Sequence, residues 1–247
     1  MTKEYEAIVL DGLYIHLRTI PKVFKNTFKY SKKRRRDTQG VILAAMGITE
    51  DGTKEILGFK IAYSESEAEW FSLLSDLLNR GLNLKQDGIV IHDGSKGLIS
   101  AIDAIFTYHK KQLCVFHFIM AASSYAKNIS QRKLIQNDLS YIYSLSKNYK
   151  TANKLFFNFI SKWRPINPSL ASFVRNYFAS TLLFLEFPQD KHKIYSTTNY
   201  LERTFKEFNR KTYDIGVFPN VYSAERIVFL LVLEQNLKNT GVNPFYA

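Results

Sequence analysis

The run Gly88-Ile89-Val90-Ile91-His92-Asp93-Gly94 constrains this chain more than any other stretch. Three β-branched apolar residues in succession, bracketed by glycines, read as a short strand buried on both faces, because a half-exposed strand would alternate. Open α/β sheets gather their chemistry just beyond the carboxyl ends of such strands. Asp93 is delivered to such an end and is the first candidate functional residue. A second reading stays open: Asp93-Gly94 is a strand-to-helix turn, in which Asp93 or Ser95 caps the next helix.

Upstream, residues 5–18 read as one long strand with Asp11 in its middle. A buried, unpaired carboxylate is costly, so Asp11 either has a cation for a partner or marks a turn at Asp11-Gly12 that splits the strand into a hairpin. Residues 39–48 and 54–63 are two more strands, joined through Glu50-Asp51-Gly52, and an Asp-Gly pair between apolar runs is a hairpin signal. The period then changes. Ala68, Phe71, Leu74, Leu77 and Leu78 fall at helical spacing over residues 66–80, and Gly81 can end that helix. After the 88–93 strand come a helix at about 95–106 and a short strand at 111–116.

Strand, strand, strand, helix, strand, helix, strand is the order of a ribonuclease-H-like fold: α/β, a mixed five-stranded sheet flanked by helices. That order sets the middle of the first strand beside the end of the fourth, so Asp11 and Asp93 are expected to face each other. Residues 117–180 contain only helical patterns, at about 117–129, 131–146, 150–163 and 169–180, broken at Trp163-Arg164-Pro165 and Asn167-Pro168. The expected organisation is a first part of the core at 1–116, an all-helical insertion at 117–190, and C-terminal core helices at 191–247. The last segment holds a basic helix at 198–212 and a strongly apolar one at 223–238.

Charge narrows the partner. The 247 residues carry 34 Lys+Arg against 22 Asp+Glu, a formal net charge of +12, and such an excess points first to nucleic acid. Residues 22–37 hold eight basic residues, among them Lys32, Lys33, Arg34, Arg35 and Arg36, with Phe24, Phe28 and Tyr30 interleaved. This reads as a protruding tip that clamps a phosphate backbone, or as a solvated, self-repelling loop. The longest aliphatic and aromatic run, Ile227 to Leu233, is far too short to span a bilayer. One cysteine, Cys114, excludes an internal disulfide, fits a reducing compartment and argues against a four-ligand structural zinc site.

The stretch Thr197 to Lys211 is the second informative one. Leu201, Phe205 and Phe208 form a stripe that would dock on the sheet. Glu202 points off the stripe with Lys206 and Asn209, and Arg203 and Arg210 lie on the adjoining side. A carboxylate among cations can meet a metal and a DNA phosphate together. Asn199-x-x-Glu202 equally fits a capping box, in which Glu202 serves only the helix start.

Together these stretches resemble the mutator-like family of insertion-sequence transposases. The resemblance rests on Leu10-Asp11-Gly12-Leu13-Tyr14-Ile15, the hairpin from Gly47-Ile48-Thr49-Glu50-Asp51-Gly52 to Leu57-Gly58, and Asp93-Gly94-Ser95-Lys96-Gly97-Leu98. It continues in Gln112-Leu113-Cys114-Val115-Phe116-His117, Thr197-Thr198-Asn199 through Glu202-Arg203, and Gly216-Val217-Phe218-Pro219-Asn220, and covers nearly the whole chain in family order. It implies a DDE-type enzyme whose catalytic, metal-binding acids are Asp11, Asp93 and Glu202, with 81 and 108 residues between them. The first spacing is longer than the resemblance leads one to expect, and the basic tip at 25–36 is the candidate for the excess. The resemblance also places the Cys114-x-x-His117 pair near the active site. For His117, counted here with the catalytic set, three readings stand: a local hydrogen-bonding or DNA-contacting residue, a metal ligand, or part of a packed strand-to-helix junction. His92 reads as structural.

The implied chemistry is metal-dependent cutting at transposon ends and strand transfer to target DNA. Two Mg2+ (or Mn2+) ions about 3.5–4 Å apart can activate the attacking oxygen and stabilise the leaving one. The implied partners are double-stranded DNA, contacted by Lys32 to Arg36, Arg203, Lys206 and Arg210, and a second copy of the chain on DNA. The implied setting is the cytoplasm of a prokaryotic cell, on the nucleoid. Family members usually carry an extra N-terminal region that recognises the ends. Met1 falls just before the first strand here, which leads us to expect a catalytic fragment or end recognition by another chain. Two alternatives remain: a ribonuclease-H-like nuclease without strand transfer, and a transposase-derived DNA-binding protein.

Overall fold

The computed structural model describes residues 3–18 and 37–239; the expected DNA contacts Lys32, Lys33, Arg34, Arg35 and Arg36 lie outside the described residues. The chain opens with three antiparallel strands, β1 (Glu4–Arg18), β2 (Asp37–Ile48) and β3 (Lys54–Ala62). Helix α1 (Glu67–Asn79), strand β4 (Asn83–His92), helix α2 (Lys96–Ile105) and strand β5 (Lys110–Leu113) follow. The sheet order is β3-β2-β1-β4-β5, with β4 parallel to β1 and β5 parallel to β4. This mixed, five-stranded arrangement is compatible with a ribonuclease-H-like fold.

Both faces of the sheet are covered, which is why β4 shows no alternation where it is central. Ile8, Leu10, Val41, Leu43 and Val90 pack with Trp70, Leu73 and Leu74 of α1 and with Leu98 and Ile102 of α2. Ala7, Val9, Ile89 and Ile91 face the other way. They meet Leu201, Phe205 and Phe208 of α8 (Asn199–Thr212) and Ala224 and Val228 of α9 (Val221–Asn239). The exposed edge of β3 is closed by side-chain amides of α9. Asn236 accepts from Ile56 N at 2.8 Å and donates to Ile56 O at 3.0 Å, and Asn239 donates to Lys54 O at 3.0 Å. These bonds satisfy backbone groups that a bare edge strand would leave open to pairing.

Between β5 and α8 the chain is helical: α3 (Val115–Ser123), α4 (Ile129–Leu145), α5 (Tyr149–Trp163), α6 (Pro168–Tyr177), three short 3-10 turns over residues 179–191, and α7 (His192–Tyr195). Asn128, Asn148 and Asn167 cap α4, α5 and α6, each side chain accepting from a backbone N–H in the first turn. Ile135, Leu139, Phe159, Trp163, Leu170 and Val174 build a third core among these helices. The buried Gln112 stitches them to the sheet: it donates to Leu113 O and Thr181 O and accepts from Phe184 N.

Four expectations need correction. The Asp11-Gly12 hairpin does not form, because β1 pairs with β2 without a break through Asp11↔Ala44 and Gly12↔Leu43. The expected strand at 111–116 stops at Leu113. Cys114 takes the N-cap position and Val115-Phe116 open a helix, a junction at which a short apolar run reads equally well as either. The strand around Ile89 begins earlier, at Asn83. Its polar first half pairs with Glu4 and Tyr5 of β1, and an irregularity between Tyr5 and Ala7 absorbs the extra residues. Finally, α9 is apolar but buries little of itself: Tyr222, Phe229, Leu230 and Leu233 are exposed.

Candidate active site

The sheet creates a fork at Asp11. β4 stays paired with β1 only as far as Leu10↔His92, and beyond it β1 runs on to Arg18 without β4 beside it. Asp11 follows the last paired residue of one strand and Asp93 that of the other. Ala7 and Val9 face α8, and Asp11 continues their alternation toward the same helix. Its carboxylate is 5% exposed. Burial pushes its pKa up to about 7; His117 pulls it down, while Asp93 and Glu202 push it up through charge repulsion. Asp93, Glu202 and His117 are thus each near enough to act on Asp11. Among the described residues, no lysine or arginine pairs with any of the three acids.

Asp93 sits in the turn that its sequence also suggested. Its Oδ1 accepts from Ser95 N at 2.9 Å, and Gly94 supplies a φ of 93°, which L side chains rarely adopt. Only one carboxylate oxygen is used in the turn, so a turn role and a ligand role are compatible. Ser95 occupies the N-cap position of α2, yet its side chain caps nothing.

The capping-box reading of Glu202 fails. The N-cap of α8 is Thr198, not Asn199, and Glu202 accepts a hydrogen bond from the Thr198 hydroxyl at 3.0 Å instead of from a backbone donor. Thr198, wholly buried, is the hub on this side. Its backbone N–H donates to Cys114 Sγ at 3.3 Å, and its hydroxyl lies 3.4 Å from His117 Nδ1. Val115 N donates to Ser196 O, which docks the start of α8 on the start of α3. Burial works against a charge on His117, but the Cys114 sulfur and the carboxylates of Asp11 and Asp93 outweigh it and bring its pKa up to about 9. With His117 protonated, Nδ1–H points at the Thr198 oxygen and the Thr198 proton at Glu202. His117 Nδ1 and Glu202 Oε1 are 4.0 Å apart. His92, by contrast, is buried, held down to about 4 by its burial, and stays neutral.

Two donor sets bear on metal binding, and among the described residues only the second brings its donor atoms within 4.8 Å of one another. Asp11, Asp93 and Glu202 offer carboxylate oxygens, the donors Mg2+ and Mn2+ prefer, and the repulsion they exert on one another is what a divalent cation would relieve. Cys114 Sγ, His117 and Glu202 offer one atom each within 4.8 Å of one another, a softer set better matched to zinc. Glu202 belongs to both, and its hydrogen bond to Thr198 turns it toward the second. Cys114 is buried, and its sulfur already accepts from Thr198.

The exposed side of α8 carries Arg203, Lys206 and Arg210. Arg203 sits over the Tyr200 ring, 6.0 Å from its centroid, with Lys54 Nζ at 4.3 Å from the same ring. Arg210 is also paired with Glu207, at 2.9 and 3.1 Å, with both side chains exposed. Sequence reasoning missed two residues at this site. Thr198 was legible only as part of a motif. Glu65, in the connection before α1, touches the turn from the other face of the sheet, and nothing in its neighbours Ser64 and Ser66 announces it. Among the described residues no helix is long and apolar enough to cross a membrane.

Comparison with known proteins gives the chain its family. A family profile described as "Transposase, Mutator family" matches residues 1–240. The transposase for insertion sequence element IS905 of Lactococcus lactis subsp. lactis (strain IL1403) is 32% identical over 237 residues, covering 96% of this chain and 55% of the relative. The transposase for insertion sequence element ISRM5 of Rhizobium meliloti (strain 1021) is 32% identical over 193 residues, 78% of this chain and 48% of the relative. The transposase for insertion sequence element IS256 in transposon Tn4001 of Staphylococcus aureus is 28% identical over 237 residues, 94% and 55%. The chain spans about half the length of these relatives. It belongs to the Mutator family of transposases.

Proposed function

We propose that this chain carries the catalytic core of a DNA transposase, with Asp11, Asp93 and Glu202 as its metal-binding acids. The observation that carries the reading is Asp11: a carboxylate buried at the fork between β1 and β4, repelled by Asp93 and Glu202, with no lysine or arginine paired to it among the described residues. Such a group is tolerated where a cation is to be bound. On this reading the sheet is a ribonuclease-H-like core, and the helices between β5 and α8, which have a core of their own, are an insertion separating the second acid from the third.

Two Mg2+ or Mn2+ ions, when bound, would polarise the attacking water or 3′-hydroxyl and stabilise the leaving oxygen. Asp11, Asp93 and Glu202 are the residues that would hold them. The rest falls to the chain's own groups. Thr198 holds the Glu202 carboxylate through its hydroxyl in the metal-free chain. His117, its pKa brought up to about 9 in the metal-free chain, can present a positive edge to a phosphate. Arg203 and Lys206, exposed on the helix that bears Glu202, hold the backbone of duplex DNA beside the acids. A second copy of the chain on the same DNA would bring two element ends together.

Replacing Asp93 by Asn tests the assignment. Cleavage of DNA carrying the element ends, in Mg2+ or Mn2+, is expected to be lost while DNA binding persists. Unchanged metal-dependent cleavage by Asp93→Asn would show that the acids are wrongly assigned. Joined strand-transfer products, as distinct from nicks, separate a transposase from a nuclease. Binding without any cleavage by the unsubstituted chain would favour a DNA-binding role instead.

A further inference from the structure

Glu65 lies in the short connection between Ala62, the end of β3, and Glu67, the start of α1. Nothing in the function proposed above uses it, yet it packs closely against two glycines of the site, its side chain against one and its backbone against the other. A Cβ on Gly12, the residue after Asp11, would stand 2.3 Å from Glu65 Oε1 and 3.0 Å from its Cδ. A Cβ on Gly97, in the first turn of the helix that follows Asp93, would stand 2.3 Å from the Glu65 carbonyl oxygen and 2.8 Å from Glu67 N. Real Cβ atoms essentially never come that close. The bare Cα of Gly12 therefore lets the Glu65 carboxylate rest against β1, and that of Gly97 lets its backbone rest against α2. Gly12 faces the α1 and α2 side of the sheet, opposite to Asp11, so Glu65 reaches the fork from behind.

Its surroundings are polar and unfinished. Burial and the charge of Asp93 raise its pKa, against the pull of the Tyr14 and Ser95 hydroxyls and of His117. The Ser95 contact is loose: its Oγ is shut off from solvent without a partner at full hydrogen-bond geometry, and it does not cap its own helix. Ser95 is also the residue whose backbone N–H holds Asp93 Oδ1. Among the described residues no lysine or arginine pairs with Glu65. A half-buried carboxylate beside a second one, with no lysine or arginine paired to it among the described residues, is held there at a cost.

We propose that Glu65 is a fourth carboxylate of the site, a positioning residue that sets the Asp93 turn through Ser95 and strengthens divalent-cation binding at Asp93 from the opposite face of the sheet. This rests on the reading that Asp93 is a metal ligand. Groups that orient a metal ligand typically contribute about 10–100-fold to metal affinity.

The test is Mn2+ binding to the full chain, followed by titration of the free-ion EPR signal, in unsubstituted protein, Glu65→Gln and Asp93→Asn, with thermal midpoints taken in EDTA. Glu65→Gln keeps the size and removes the charge. It is expected to weaken Mn2+ binding about tenfold, at the low end of that range, with an EDTA midpoint unchanged or raised. Glu65→Asp, which keeps the charge, is expected to recover part of the affinity. Asp93→Asn is expected to abolish the tight Mn2+ site. Affinity within about twofold of the unsubstituted chain in Glu65→Gln, with Asp93→Asn still abolishing the site, overturns the role of Glu65 alone. Weaker binding accompanied by a lower EDTA midpoint shows a structural role and overturns it as well. Tight Mn2+ binding retained in Asp93→Asn overturns the metal assignment, and this proposal with it.

Discussion

Asp11→Asn is expected to make the metal-free protein more stable while abolishing what the acid is for. In the folded chain the Asp11 pKa is raised from 3.8 to about 7, first by burial and then by Asp93 and Glu202, against the pull of His117. A folded-state pKa above the unfolded one means that the stability tied to this group is fully present below about pH 4 and is lost as pH rises through about 7. The shift is about 3 units, which at 1.36 kcal/mol per unit is about 4 kcal/mol if all of it is expressed. Asn has nearly the same shape and keeps an oxygen that can accept from Gly12 N, as Asp11 Oδ1 does at 2.9 Å. It carries no charge to bury. In EDTA, the variant should match the unsubstituted protein near pH 4 and exceed it by up to about 4 kcal/mol at pH 8, on the order of 10 °C in melting temperature. Urea unfolding at several pH values gives the difference directly. Adding Mn2+ at pH 8 should stabilise the unsubstituted protein far more than the variant. An Asp11→Asn protein that is less stable than its parent at pH 8 in EDTA, or a gap that does not close on acidification, would refute the reasoning.

Three other outcomes follow from the same structure. The stabilising contribution of His117, whose pKa stands at about 9 in the fold, should be full below its ordinary 6.5 and fade as pH rises through about 9. Unfolding of metal-free His117→Gln against its parent, measured from pH 6 to pH 10, reads this as a gap that narrows. Phe205, 4% exposed between α8 and the sheet, should cost about 3–5 kcal/mol when cut back to Ala in urea unfolding. Glu202 shares its helix, so metal affinity should fall with it. Neutralising Lys32 to Arg36 should weaken binding to all duplex sequences alike and reduce the slope of log affinity against log salt by about 0.9 per lost phosphate contact. An unchanged slope would make that run a solvated loop.

The parts of the fold legible in the sequence were those whose pattern is local. The long β1, the hairpin of β2 and β3, and the buried Ile89-Val90-Ile91 run all announce themselves through composition and period, and their order alone implies the pairing that puts Asp11 beside Asp93. Boundaries were less legible where two structures suit the same residues. Val115-Phe116 could extend a strand or open a helix, and only the docking of Val115 N on Ser196 O, 81 positions away, decides it. Asn83 to Asp87 carry no strand pattern, because polar side chains hide a strand that the backbone of β1 imposes. Glu202 could cap its helix or leave it, and the choice is made by Thr198, whose hydroxyl links Glu202 to Cys114 and His117 at the start of α3. Glu65 was illegible for the same reason. Its place follows from two glycines 85 positions apart in the chain, each bare where it passes.

The central claim is that Asp11, Asp93 and Glu202 form one metal site. Anomalous scattering from a crystal of the chain grown with Mn2+ tests it most directly. The account predicts manganese between the three carboxylates at the β1–β4 fork, with Glu202 turned from Thr198 toward it. Manganese confined to Cys114, His117 and Glu202, with Asp11 and Asp93 out of reach in an ordered site, would contradict it.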